Sequence, residues 1–321
     1  MQSIALPELY CPFDPEISPY ADVVNRGTVD WACDMGIVES GLALQIFLRT
    51  NVGRLAGHYH PHSGQEDLQL VSDLYAWMFV RDDLCDETEI GMRPEKLAVW
   101  NRRFLDILDG RARAKSDTPL ALALEDLRER LLTRSPSNMW MRRFVRSVHE
   151  HFDSGLWEAS NRVRGEVPDL ETYVRMLPAT GGLLLDAEFI EITNDMHLPS
   201  GVLEHPVVRS MTISSCNVII WSNDLFSLEK ELKSGDLHNL VLVVRQEHGF
   251  TLEEAVRRVA QMHDAEVALF QDLERRLPSF GTKVDLDLER YVATLRSRMR
   301  GNLDWSYETA RYRTTALAPA V

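Results

Sequence analysis

Two short polar runs hold the side chains of this sequence best suited to chemistry. The first is Phe79-Val-Arg-Asp82-Asp83-Leu-Cys-Asp86-Glu87. Asp82 and Asp86 are one helical turn apart, so their carboxylates share a face and can hold a hard, oxygen-seeking cation such as Mg²⁺. The second is Asn223-Asp-Leu-Phe-Ser227-Leu-Glu-Lys230-Glu231. Asn223, Ser227 and Glu231 recur every four residues, which stacks an amide oxygen, a hydroxyl and a carboxylate on one slowly drifting face. A donor set with a single formal charge suits Mg²⁺ bound jointly with a substrate phosphate, and Lys230 adds a positive charge beside it.

What precedes each run decides how it is read. Val71, Tyr75 and Met78/Phe79 form an apolar stripe that leads, at helical spacing, into Asp82 and Asp86. A solvated acidic face would lie opposite that stripe, whereas these carboxylates extend it to the end of a buried face, where unpaired negative charge is costly. Thr212, Cys216 and Ile220 lead in the same way into Asn223. Taken singly, the first run also reads as a solvating acidic cluster and the second as a helix leaving the core. Taken together, they can face each other across one mouth of a bundle. Such a mouth, acidic and filled with metal, would grip a polyphosphate above an apolar barrel that holds hydrocarbon.

The elements that must position these runs are helical almost throughout. Residues 64–87, 94–109, 119–134, 138–163, 207–231, 252–275 and 286–312 carry apolar positions at three- and four-residue spacing. Asp117-Thr118-Pro119 and Ser135-Pro136 place proline at a first helical turn, and Thr251…Glu254 matches a capping box. Four prolines between Pro7 and Pro19 make residues 1–20 an extended arm, and Thr314–Val321 reads as a frayed tail. No alternating strand feeds a glycine-rich turn, so dinucleotide and P-loop folds are excluded. Although 321 residues could form two domains, short loops between long helices point to one all-α bundle.

Composition narrows the function classes. The chain is 45% hydrophobic and 26% charged, an ordinary globular balance. Its 35 Lys and Arg against 49 Asp and Glu leave a net charge of -14, which argues against a nucleic-acid partner. Cys11, Cys33, Cys85 and Cys216 are far apart, as in a reduced cytoplasmic protein without structural zinc. There is no secretory leader pattern, and the run Leu240–Val244 is far too short to span a membrane. His58, His60 and His62 resemble a ligand run, but Pro61 puts them in a loop, and Cys85 reads as a small helix filler. Leu122, Leu124, Leu127 and Leu131 form a packing face that could also serve a dimer.

These runs resemble the bacterial class I terpene synthases, whose members carry an aspartate-rich DDxxD/E motif and an Asn-x-x-x-Ser-x-x-x-Glu triad on facing helices. Both are intact here, together with a C-terminal Arg311-Tyr312 pair and Trp305 seven residues before the tyrosine, expected on the same helix face. The phrases Cys11-Pro-Phe-Asp-Pro-Glu-Ile-Ser-Pro19 and Gly53-Arg54-Leu55…Tyr59…Pro61 are also similar to the family's opening, so the likeness spans nearly the whole chain. One element departs. In Tyr173-Val-Arg175-Met-Leu177-Pro-Ala-Thr-Gly181-Gly182 the helix break is supplied by Pro178 and the glycines, with Gly181 in the place of the small effector residue. The position expected to hold a diphosphate-sensing arginine is Leu177, and Arg175 lies about 200° around the helix from it.

The resemblance implies a single-domain helical bundle around a central apolar cavity and a Mg²⁺-dependent cyclase, a carbon–oxygen lyase. Three Mg²⁺ ions would bind the diphosphate of an allylic isoprenoid, farnesyl diphosphate foremost, and the product would be a sesquiterpene hydrocarbon or alcohol. Asp82 is expected to bridge metals with Asp83 and either Asp86 or Glu87, while Asn223, Ser227 and Glu231 hold another ion. Lys230, Arg311 and Tyr312 would donate to diphosphate oxygens. Phe79 and Trp305 would face the carbocation, and Arg175 and Gly181 are further candidates for substrate contact. A monomer or homodimer is expected. Geranyl and geranylgeranyl diphosphate are alternative substrates, and a prenyl diphosphate synthase or a silent helical binding protein are alternative readings.

Overall fold

The computed structural model of the chain describes residues 6–115 and 117–312, and of Asp86 and Glu87 the backbone alone. Among these residues there is no strand. The helices are α1 (Ala21–Asp34), α2 (Leu42–Thr50), α3 (Val52–Tyr59), α4 (Gln65–Glu87), α5 (Pro94–Leu108), α6 (Pro119–Arg134), α7 (Asn138–Arg164) and α8 (Leu170–Thr180). They continue as α9 (Leu183–Ala187), α10 (Phe189–Thr193), α11 (Ser200–Leu203), α12 (Pro206–Ser234), α13 (Leu240–His248), α14 (Leu252–Glu274) and α15 (Thr282–Glu308). No helix among the described residues is long and apolar enough to cross a membrane.

Local chemistry sets most boundaries. Thr118 caps α6 by accepting from the Ala121 N–H, with Pro119 at the first helical position. In the capping box of α14, Glu254 N donates to Thr251 Oγ1 and Thr251 N to Glu254 Oε2. Two expectations shift. Helix α7 is capped by Ser137, whose Oγ accepts from Trp140 N, so Pro136 precedes the helix rather than opening it. The histidine run begins inside α3, not in a loop, because the apolar positions Val52, Leu55, Ala56 and Tyr59 sustain a helix until just before Pro61. Its side chains diverge: His58 meets Glu16 and Glu308, His60 turns inward to Tyr75, and exposed His62 faces Glu16. No cluster of three metal-capable His, Cys, Asp or Glu side chains occurs among the described residues.

Helix α4 packs on α1, α3 and α6, and α12 packs on α14, α15 and α8. Close approach of α15 to α3 is permitted by Gly301, where a Cβ would come within 2.7 Å of the His58 carbonyl oxygen. One buried apolar cluster gathers Trp77, Trp140, Phe144, Phe152, Phe189 and Leu295, and a second gathers Tyr173, Leu177, Trp221, Leu225, Val241 and Val256. Leu124, Leu127 and Leu131 are buried in the first, whereas Leu122 is exposed. The four cysteines are free thiols.

The last helix ends earlier than its periodicity suggests. It stops at Glu308, and Thr309 takes extended backbone with its Oγ1 donating to the Arg49 and Thr50 carbonyls. Ala310 N also donates to Arg49 O. These bonds to the end of α2 outcompete helix propagation and turn residues 311–312 back toward α4 and α12. Expectations for Thr314–Val321 lie outside the described residues.

Candidate functional site

The end of α4 and the middle of α12 meet at one pocket of about 180 Å³. Tyr75, Met78, Phe79 and Asp82 line it from α4, Ile219, Ile220 and Asn223 from α12, and Asn302 and Trp305 from α15. The apolar stripes of both helices, the Asp82 carboxylate and the Asn223 amide thus open on the same space. A larger open cleft elsewhere, lined by Arg134, His197 and Arg290 among others, shares no residue with it. The Asp82 carboxylate meets the water of the pocket mouth, yet the protein around it raises its pKa, chiefly by burial and secondly by the neighbouring Asp83 charge. Asp86 and Glu87 close the same helix, and their side chains lie outside the described residues.

The second run presents its donors as follows. Asn223 uses its amide nitrogen to donate to Tyr312 Oη at 2.6 Å, which leaves the amide oxygen to a ligand. Ser227 is buried, and its Oγ is without a hydrogen-bond partner. An orphaned buried hydroxyl is costly, and a cation held between Asn223 and Glu231 would repay it. Glu231 Oε2 accepts from Asn239 Nδ2 at 2.6 Å. Asn239 is not among the expected site residues. It caps α13 through its Oδ1 and also donates to the Asp224 carbonyl, so one amide fixes both the helix start and the carboxylate. An asparagine before the apolar run Leu240–Val244 signals a cap, but nothing in sequence reveals its second bond.

The basic residues gather at the mouth. Arg311 donates from Nη2 and Nη1 to the two Asp83 oxygens at 2.7 and 3.3 Å, and Lys230 Nζ stands 4.0 Å from Asp83 Oδ1. Burial disfavours the Arg311 charge, but Asp83 outweighs it and holds the guanidinium above its usual range. The guanidinium lies over the Phe79 ring at 4.7 Å. Phe79 and Trp305 are 6.2 Å apart between centroids, and Trp305 meets Tyr312 edge-on at 5.8 Å. Trp305 and Tyr312 touch although they share no helix, because the turn at Thr309 returns the tyrosine. Their expected common helix face is corrected accordingly.

The break after α8 is made by the glycines, since Pro178 stays inside the helix. Gly181 and Gly182 line the pocket. Gly182 has φ +66°, and a Cβ there would meet Met78 Cε. Leu177 is buried among Tyr173, Trp221 and Leu225, so the expected sensor position is part of an apolar cluster. Arg175 is exposed and does not line the pocket. His151, which does, bonds the Ala179 carbonyl through Nδ1 at 2.9 Å, and burial with the nearby Arg81 charge lowers its pKa to about 4.

Several known proteins are similar to this chain. Residues 73–268 match terpene synthase family 2, C-terminal metal binding. The chain is 38% identical to (+)-T-muurolol synthase ((2E,6E)-farnesyl diphosphate cyclizing) of Roseiflexus castenholzii over 96% of this chain and 94% of that one. It is 33% identical to germacrene A synthase of Nostoc punctiforme over 97% and 96%. Among solved structures, germacradien-4-ol synthase from Streptomyces citricolor superposes with a TM-score of 0.84 at 25% identity, covering 94% of this chain and 99% of that one. Linalool/nerolidol synthase from Streptomyces clavuligerus gives 0.83 at 26%, over 93% and 100%. The facing acidic helices, the returning Arg-Tyr pair and these likenesses have one origin: the chain belongs to the terpene synthase family.

Proposed function

We propose that the chain is a class I sesquiterpene cyclase that ionises farnesyl diphosphate with Mg²⁺ and cyclises the carbocation, releasing diphosphate. The observation that carries this reading is the convergence of Asp82 and Asn223 on one largely apolar pocket, with Arg311 and Tyr312 beside them. The names of the relatives support the substrate, since one is described as cyclising farnesyl diphosphate.

The donors fit divalent metal: carboxylates from Asp82, Asp83 and Asp86 or Glu87 on one helix, and Asn223, Ser227 and Glu231 on the other. Three Mg²⁺ ions held there would neutralise the diphosphate and stabilise the charge that develops on it as a leaving group. The chain's own residues do the rest. Asp83 holds Arg311 and Lys230 at the mouth, from where both would donate to diphosphate oxygens. Tyr312 donates beside them while keeping Asn223 oriented. Phe79 and Trp305 offer ring faces to the allylic cation. Gly181 and Gly182 keep the wall opposite α4 close, which excludes water that would end the cascade early.

Incubation of the purified protein with geranyl, farnesyl and geranylgeranyl diphosphates and Mg²⁺, followed by analysis of volatiles and released diphosphate, tests the proposal. A cyclic C15 product from farnesyl diphosphate is expected. Absence of product and of diphosphate release from all three substrates would overturn it.

A further inference from the structure

Within the same pocket lies a second polar group that metal binding and ionisation leave unused. Tyr75 and Asp186 both line the pocket, and the Tyr75 hydroxyl donates to Asp186 Oδ1. Tyr75 precedes Asp82 by seven residues on α4, so it sits about 10 Å along the helix from the mouth. Behind the pair, and absent from the lining, stands His60, only 1% exposed. Its Nε2 is 3.2 Å from Tyr75 Oη and 3.3 Å from Asp186 Oδ1, so three acid–base atoms form a triangle. Asp186 Oδ2 is taken by Arg298 Nε at 2.6 Å.

Hydrogen-bond directions say what the triangle lacks. Thr193 Oγ1 donates to Phe189 O at 2.9 Å, so it accepts from His60 Nδ1 at 3.0 Å. In that tautomer Nε2 carries a lone pair. The Tyr75 proton already lies toward Oδ1, which leaves Nε2 and Oδ1 facing each other lone pair to lone pair. One further proton between them satisfies both. Burial alone would raise the Asp186 carboxyl, but Arg298, His60 and Tyr75 bring it down to about 2, so Asp186 stays ionised and can accept the Tyr75 hydroxyl proton as a hydrogen bond. A brace between Asp186 and Arg298 needs neither the phenol nor the imidazole.

We infer that Tyr75, Asp186 and His60 form the proton acceptor that ends the carbocation cascade. A C–H bond next to the cationic carbon breaks and its electron pair becomes the new C=C bond. Tyr75 Oη takes the proton as its own hydroxyl proton moves to Asp186 Oδ1, and the excess proton settles on His60 Nε2, outside the pocket. Tyr75 is the catalytic residue, and His60 acts through it.

This inference rests on the cyclase reading, and the test separates the two. Wild-type protein, Tyr75→Phe and His60→Gln are each assayed with farnesyl diphosphate and Mg²⁺ for diphosphate release and for the ratio of products. In both variants the share of the wild-type main product among the products formed is expected to fall about tenfold or more in favour of other olefins or alcohols. His60→Gln is decisive because it leaves the pocket lining intact. An unchanged product ratio in folded His60→Gln would overturn the relay, whatever Tyr75→Phe does. Should His60→Gln fail to fold, Tyr75→Phe with an unchanged product ratio overturns it equally. Wild-type protein that releases no diphosphate would instead overturn the cyclase reading.

Discussion

Arg311 grips both carboxylate oxygens of Asp83 across a sequence separation of 228 residues. A bidentate pair of this kind is strong and directional, and it fixes a cation at the mouth of the pocket. Arg311→Ala is expected to lower kcat/KM for diphosphate release by about 100-fold or more, because a donor to the leaving group is lost. Arg311→Lys should recover only part, since an ammonium cannot span two oxygens. Steady-state diphosphate release measured beside the thermal midpoint checks both, and a variant within a few-fold of wild type would remove Arg311 from the mechanism.

Asn223→Ala should abolish turnover with little loss of folding. The side chain makes a single bond to Tyr312 and otherwise faces the pocket, so its removal leaves no buried group stranded in the core. Circular dichroism and product analysis on the same preparation decide the point. Turnover near that of wild type would take Asn223 out of the ligand set.

Asn239→Ala acts at one remove. Without its amide, Glu231 loses the donor that orients it and α13 loses its cap. The Mg²⁺ concentration for half-maximal activity should rise about 10–100-fold, as for other residues that hold metal ligands in place. Loss of the cap should also cost about 1 kcal/mol of stability. Titration of activity with Mg²⁺, alongside urea unfolding, separates the two effects.

Gly182→Ala should destabilise the fold by about 1–2 kcal/mol from the positive φ alone, with Met78 displaced in addition. Gly201, where a Cβ meets nothing within 4 Å, is the control. Equal midpoints for the two alanine variants in urea would contradict the account.

Acid should act on stability through His151. Its folded pKa of about 4 lies below the usual imidazole value of 6.5, so between these limits the unfolded chain binds the additional proton. The contribution of His151 is therefore complete above about pH 6.5 and is lost as pH falls toward 4, up to about 3 kcal/mol. Subtracting the unfolding free energies of His151→Gln from those of wild type across that range isolates the effect. A flat difference would refute it.

Helix content and order were legible because apolar periodicity and caps are local. The meeting of the two polar runs was legible as far as Asp82 and Asn223, because each closes an apolar stripe at helical spacing and both line one pocket. What escaped was set by partners distant in the chain. The end of α15 depends on hydrogen bonds from Thr309 to the end of α2, so a periodicity that continues to Tyr312 misleads. Tyr75 reads as one more apolar position in a stripe, and only the fold brings Asp186 to its hydroxyl. Leu177 stands where the family pattern expects arginine, and its burial beside Trp221 became visible only with α8 seated on α12.

The turn at Thr309 also has a meaning for how the protein is made. Arg311 and Tyr312 leave the ribosome well after α4 and α12, the helices on which they dock. Until they arrive, Asn223 lacks its tyrosine and Asp83 its arginine, so a nascent chain carrying both polar runs still has an unfinished mouth.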